Sequence, residues 1–145
     1  MLKPIVTISQ DFSFEAAHSM PKQTRFPGQT HVHGHSFTVK IELKGEASAE
    51  EGTIENFELV SSKFRELVMK LDHTMLNDIP GLENPTMENI GLWLLGLGLK
   101  IDQRLNAVTV GRPTLGQTCK VQLPEKRASM VDGETAPFRA DALAA

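Results

Sequence analysis

From His33 to Glu46 the chain alternates apolar and polar residues. Phe37, Val39, Ile41 and Leu43 fall on one side, and Thr38, Lys40, Glu42 and Lys44 on the other. Period-two alternation is the mark of a strand with one face buried. Ile5–Ala17 repeats the pattern more loosely, with Phe12 and Phe14 set against Ser13 and Glu15. The polar stretch Gly45–Gly52 reads as a turn, and the two strands are expected to lie antiparallel, side by side. Between them, Ser19–Thr30 carries Pro21, Pro27 and Gly28 and reads as a loop, long enough to suggest a functional role.

The period then changes. Phe57, Val60, Phe64, Leu67, Val68 and Leu71 fall at helical spacing, with Asn56 as the N-cap and Glu58 in the first turn. After a proline-bearing loop over 77–85, Thr86 is expected to cap a second helix. Ile90, Leu94, Leu97 and Ile101 would form one apolar stripe, and Leu92, Leu95 and Leu99 another. A helix apolar on two sides needs two partners, its own sheet and something else, such as a neighbouring subunit. Gly91, Gly96 and Gly98 each weaken such a helix by roughly 1 kcal/mol relative to Ala, so a strand over 95–99 competes with it. Ala107–Val110 and Thr118–Val121 read as two further strands. The sum is an α+β domain over 1–123, a four-stranded antiparallel sheet with two helices on one face. Residues 124–145 read as a charged, alanine-rich tail, either flexible or packed on a neighbouring subunit.

A net charge of -3 points away from nucleic acid and anionic membranes as partners, and no apolar run is long enough for a transmembrane helix. The N-terminus lacks a signal-peptide pattern, and a single Cys119 forbids an internal disulfide, so the cytoplasm is the expected compartment.

Histidine is unevenly spread: of five, four lie between positions 18 and 35, and the fifth follows Asp72. His33 and His35 are two apart on a strand, so both point to one face at a backbone separation of roughly 6.6 Å. An antiparallel neighbour can bring His18 opposite them. Three neutral imidazoles suit zinc and leave a fourth position open for water or substrate. His31 is a loop residue or an outer partner to that site, since a fourth histidine would close it. Asp72 and His73 are adjacent, and adjacent side chains usually diverge. The pair is therefore either a solvated helix end or a proton shuttle.

The runs Phe14-Glu-Ala-Ala-His18, His33-Gly-His35-Ser-Phe37, Leu71-Asp-His-Thr-Met-Leu-Asn-Asp78 and Glu83-Asn-Pro-Thr-Met-Glu88 resemble the 6-pyruvoyl-tetrahydropterin synthase family, most closely its bacterial 6-carboxytetrahydropterin synthase branch. The likeness extends from about Ile5 to Val121. It implies the tunnelling fold, with subunits joined as a trimer or a hexamer. It implies Zn2+ held by His18, His33 and His35, and a lyase acting on 7,8-dihydroneopterin triphosphate or a related pterin, on the route to queuosine in bacteria. By the same resemblance His73, with Asp72, is a relay partner, and Thr86 contacts the pterin.

Two positions depart from the family pattern. Gln29 stands where the family has its basic cysteine, and Ser19–Val32 contains no acidic residue to replace it. A carboxamide cannot act as a base near neutrality. His31 in the same loop is one substitute base. Cys119 is another, although a lone cysteine usually serves as a small buried hydrophobe. Arg112 stands where the family has the glutamate that grips the pterin ring. Arginine offers only donors, and so favours a carboxylate or phosphate instead. Three readings follow: a lyase on the family's substrate, a zinc enzyme on a different anionic substrate, or a catalytically silent ligand-binding homologue.

Overall fold

The computed structural model describes residues 2–125, so the tail expected over 124–145 lies almost wholly outside the described residues. Two long strands, β1 (Ile5–His18) and β2 (His33–Glu46), form the antiparallel pair that their alternation predicts. A single helical turn, α1 (Pro27–Thr30), sits within the intervening loop. Then follow α2 (Phe57–Met69), a two-residue β3 (Thr74–Met75), α3 (Met87–Ile101), β4 (Leu105–Arg112) and β5 (Gln117–Gln122). The sheet order is β3-β1-β2-β4-β5.

The expected four strands are thus five. The extra one, β3, pairs parallel to the end of β1, Thr74 beside Ala16 and Met75 beside Ala17. Two residues carry no readable alternation, so only tertiary pairing defines this strand.

Both helix caps form as expected. The Asn56 side chain accepts from the Glu58 N–H, and the Thr86 hydroxyl from the Asn89 N–H. The alternating faces build the core: Phe12, Phe14 and Ala16 on β1, and Phe37, Val39, Ile41 and Leu43 on β2, are buried with Phe64, Leu67, Val68, Ile90 and Leu94. Burial of each large side chain contributes about 1.5–3 kcal/mol.

The segment 95–99 is helical, and its two-stripe pattern needs correction. Leu92, Leu97 and Leu99 are only part-buried and Ile101 is exposed, whereas Gly91, Gly96 and Gly98 are buried. The glycines mark where α3 meets the sheet. A Cβ on Gly98 would lie 2.5 Å from Leu105 Cδ2, and one on Gly91 would lie 2.7 Å from Val121 Cγ2. Their low helix propensity is the cost of this close approach.

Candidate metal centre

The register of β1 on β2 sets His18 opposite His33 and Ala16 opposite His35. His18 continues the buried stripe of Phe14 and Ala16, and His35 and His33 continue the stripe of Phe37. All three histidines therefore extend the core face at one end of the sheet. Each offers a ring nitrogen, and the three nitrogens lie within 4.8 Å of one another. The rings meet edge to face, with centroids 4.6 Å (His18–His33), 5.1 Å (His18–His35) and 4.8 Å (His33–His35) apart. Phe37 supports the cluster, edge-on to His18 and His35 and stacked on Phe14 at 4.9 Å.

Hydrogen bonds orient two of the rings. A carbonyl can only accept, so His18 Nδ1–H donates to the Pro85 carbonyl at 2.8 Å, and His33 Nδ1–H donates to the His31 carbonyl at 2.8 Å. Both are left with a bare Nε2, the tautomer a metal requires. The segment ahead of α3 thus takes part in building the cluster. Asn77 adds a clamp, accepting from the Ser19 N–H and donating to the Ser19 carbonyl.

His18 Nε2 and His35 Nε2 are buried without a hydrogen-bond partner among the described residues. An unsatisfied buried group costs about 1–3 kcal/mol, so two together call for a bound species. Burial is the main cause that holds both imidazoles toward the neutral form, His35 down to about 4. Arg112 and the fellow histidines add to it. Three converging imidazole nitrogens, two of them buried and without a partner among the described residues, fit a divalent zinc ion better than they fit a proton-bearing network.

The other expected site residues fall around this centre. His31 is exposed; its backbone carbonyl, holding His33, is what reaches the cluster. Gln29 lies in α1, where its main chain accepts from the Met20 N–H and donates to the Phe26 carbonyl. Thr86 is the α3 cap, next to the carbonyl that holds His18. Cys119 is half-buried on β5 opposite Val110, and burial, with Glu88, pushes its thiol upward, away from basic use.

Asp72 and His73 do not diverge. His73 adopts φ 57°, in the left-handed region, and its Nδ1 lies 2.8 Å from Asp72 Oδ2. The other Asp72 oxygen accepts from the Glu15 N–H, and the His73 N–H donates to the Glu15 carbonyl. The backbone reversal folds the imidazole back over its neighbour's carboxylate. Nothing in the sequence signals it, since positive φ is uncommon outside glycine. The Glu15 hydrogen bond and the His73 contact hold the Asp72 carboxyl below its ordinary range. His35 and His73 line one cleft of about 720 Å³, with Glu15, Ser36, Met75 and Thr114 on its walls.

Sequence reasoning misses Asn84. Its Oδ1 is buried without a partner among the described residues, one residue before the Pro85 carbonyl. Its place beside the Pro-Thr cap is the one signal the sequence offers for it.

Comparison with known proteins finds relatives in sequence and in fold. Residues 7–132 match the family model described as 6-pyruvoyl tetrahydropterin synthase. A 6-carboxy-5,6,7,8-tetrahydropterin synthase of Synechocystis sp. is 37% identical over 93 residues, covering 60% of this chain and 70% of that protein. A dihydroneopterin monophosphate aldolase of Pyrococcus furiosus is 34% identical over 82 residues, covering 57% and 65%. Among solved structures, the 6-pyruvoyl tetrahydropterin synthase of Caenorhabditis elegans superimposes with a TM-score of 0.74 at 20% identity, over 86% of this chain and all of that one. The Plasmodium vivax 6-pyruvoyltetrahydropterin synthase gives a TM-score of 0.62 at 22% identity, over 81% and 97%.

Proposed function

Because this chain belongs to the 6-pyruvoyl tetrahydropterin synthase family, we propose that it is a zinc-dependent lyase acting on 7,8-dihydroneopterin triphosphate or a related pterin. The observation that carries the reading is the cluster of His18, His33 and His35, with two buried Nε2 atoms lacking partners among the described residues. These three residues would hold the ion. Bound there, zinc supplies a Lewis acid with an open coordination position.

The chain's own residues supply the rest. Asp72 accepts from His73 Nδ1–H, which leaves His73 Nε2 free to take or give a proton on the cleft that His35 also lines. Gln29 has no ionisable group, so proton transfer in this reading falls to His73, with His31 as an additional candidate. His73→Gln is expected to slow turnover by about 10²–10⁴-fold with metal content unchanged.

The relatives' names span two reactions, a tetrahydropterin synthase and a dihydroneopterin monophosphate aldolase, so membership leaves the substrate open. Incubating zinc-loaded protein with 7,8-dihydroneopterin triphosphate and assaying triphosphate and acetaldehyde tests the first choice. Neither product forming, with one zinc bound per chain, would exclude that substrate. The expected homo-oligomer, cytoplasmic setting and link to queuosine belong to the same proposal and rest on the family likeness; among the described residues no helix is long and apolar enough to cross a membrane. Gel filtration coupled to light scattering tests the assembly.

A further inference from the structure

We propose that Arg112 is the receptor for an oxyanion of the substrate, a carboxylate or a phosphate group presented beside the histidine cluster. The inference deepens the zinc-site reading and rests on it for the position of the substrate.

Three core-facing stripes run toward the same end of the sheet. On β1, Phe14 and Ala16 lead to His18. On β2, Phe37 leads to His35 and His33. On β4, Val108 and Val110 lead to Arg112. Val110 pairs with Val39, and Gly111 with Thr38, so Arg112 falls level with Phe37, two residues from His35 along the neighbouring strand. Side chains two apart on a strand share a face, which puts Arg112 on the face of the three histidines. Its charge acts on both His18 and His35.

Arg112 Nε is buried and has no hydrogen-bond partner among the described residues, and no ion pair there involves its guanidinium. Arginine cannot shed its proton to escape this, so a buried unpaired guanidinium N–H requires an acceptor. Among the described residues no hydrogen bond or ion pair joins a carboxylate to His18, His33, His35 or Arg112. A divalent ion on the three imidazoles would add further positive charge. An oxyanion would balance both charges and accept the guanidinium's parallel N–H donors, the fork geometry that suits carboxylate and phosphate. Arg112 would then select among substrates by charge, favouring a molecule whose anionic group reaches this end of the sheet.

The test uses the full chain, as purified and after zinc reconstitution. Calorimetric titrations employ benzoate, inorganic phosphate and, as a neutral control, benzamide, on wild type, Arg112→Gln and Arg112→Lys, with metal content measured on every sample. Wild type is expected to bind at least one anion, and which one responds separates a carboxylate from a phosphate. Arg112→Gln should weaken that anion by about ten- to a hundredfold with metal content unchanged. Arg112→Lys, which keeps the charge and loses the fork, should lie between and serves if the glutamine variant does not fold. Binding of both anions that is equal in wild type and the variants, or no better than benzamide, overturns the proposal. Zinc absent but Arg112-dependent anion binding intact would instead overturn the metal reading alone.

Discussion

Two polar clusters sit at opposite ends of the sheet, and they differ in how completely they are satisfied. At one end stand His18, His33, His35 and Arg112. At the other, Arg104 joins Asp102 and Glu55, with Nη2 at 2.7 Å from Asp102 Oδ2 and 2.8 Å from Glu55 Oε2. Its Nε donates to Asp102 Oδ1, its Nη1 donates to the Ile54 carbonyl, and Lys63 pairs with Glu55 at 3.1 Å. Lys44 N–H bonds the Arg104 carbonyl, so this cluster lies near the far end of β2, about 30 Å from His35 at strand rise. There every charge has its counterpart. It ties the end of α3 and the start of β4 to the segment before α2, and it needs nothing from outside. Among the described residues five buried side-chain atoms lack a hydrogen bond: His18 Nε2, His35 Nε2 and Arg112 Nε belong to the histidine end, and Asn84 Oδ1 lies one residue from its Pro85 support. The fifth, on Glu42, sits in an ion pair with Lys120 at 3.0 Å. A polar cluster complete within the chain stabilises the fold. One left incomplete in a well-packed core is a place for a ligand.

The sharpest way to break this contrast is to remove one member of the incomplete cluster. His33→Ala leaves two imidazoles, too few to hold zinc firmly. The expected loss of affinity exceeds the about 10–100-fold typical of changes outside the ligand set, and elemental analysis should show zinc falling from about one per chain toward none. Unfolding of the metal-free protein should hardly change, because His33 is only part-buried and makes no contact that the core requires. Unchanged zinc would show that the ligand set is wrong.

The complete cluster should respond in the opposite way. Arg104→Ala leaves the buried Asp102, 8% exposed, with the backbone N–H of residue 104 on Oδ1 and Lys63 at 3.6 Å, and without its guanidinium partner. Breaking a fully buried pair costs about 3–5 kcal/mol; Arg104 keeps 36% of its side chain in water, so about 2 kcal/mol is expected after that screening. Urea denaturation would read it, and zinc content should not move. If zinc were lost as well, the two ends would be coupled, and the Arg104 cluster would not be self-contained.

What the sequence makes legible depends on which interactions are local. The period of β1 and β2 by itself puts the three histidines on one face, because alternation and an antiparallel register determine both face and partner. The caps at Asn56 and Thr86 are equally local. The complete cluster leaves no such trace: Glu55 and Arg104 are far apart in the chain, and no periodicity links them. The contact of His73 with Asp72 is just as hidden, since it depends on a single residue in a left-handed conformation. The glycines of α3 read as weak helix in the sequence, and only the Cβ distances to Leu105 and Val121 identify them as the packing surface. Arg112 is legible as a residue out of pattern, while the burial of its Nε without a partner among the described residues is a property of the fold.

Acid sharpens the contrast by acting on the complete cluster in a definable window. The hydrogen bond from Arg104, above other causes, holds Glu55 and Asp102 down to about 2 each, from ordinary values of 4.5 and 3.8. With folded-state values depressed, the unfolded chain takes up protons first. The contribution is therefore full above about pH 4.5 and is lost as pH falls toward about 2. Urea midpoints of metal-free wild type and Arg104→Ala should converge across that window; a gap that stays constant would deny the carboxylates their role.

The smallest effect belongs to Gly34, between the two histidines of β2. A Cβ there would meet only the Ala16 carbonyl oxygen, at 3.5 Å, an ordinary contact. Glycine within a strand loses more backbone entropy on folding than alanine does, so Gly34→Ala should stabilise the metal-free protein by up to about 0.5–1 kcal/mol and leave zinc binding intact. The same change at Gly98, where the Cβ would press on Leu105 at 2.5 Å, should destabilise instead. Gly34 also lines the cleft that His35 and His73 share. If Gly34→Ala keeps its zinc and its stability yet loses turnover, the missing side chain is room for a substrate lying against the backbone. The incomplete end of the sheet would then extend past its nitrogens to the main chain between them.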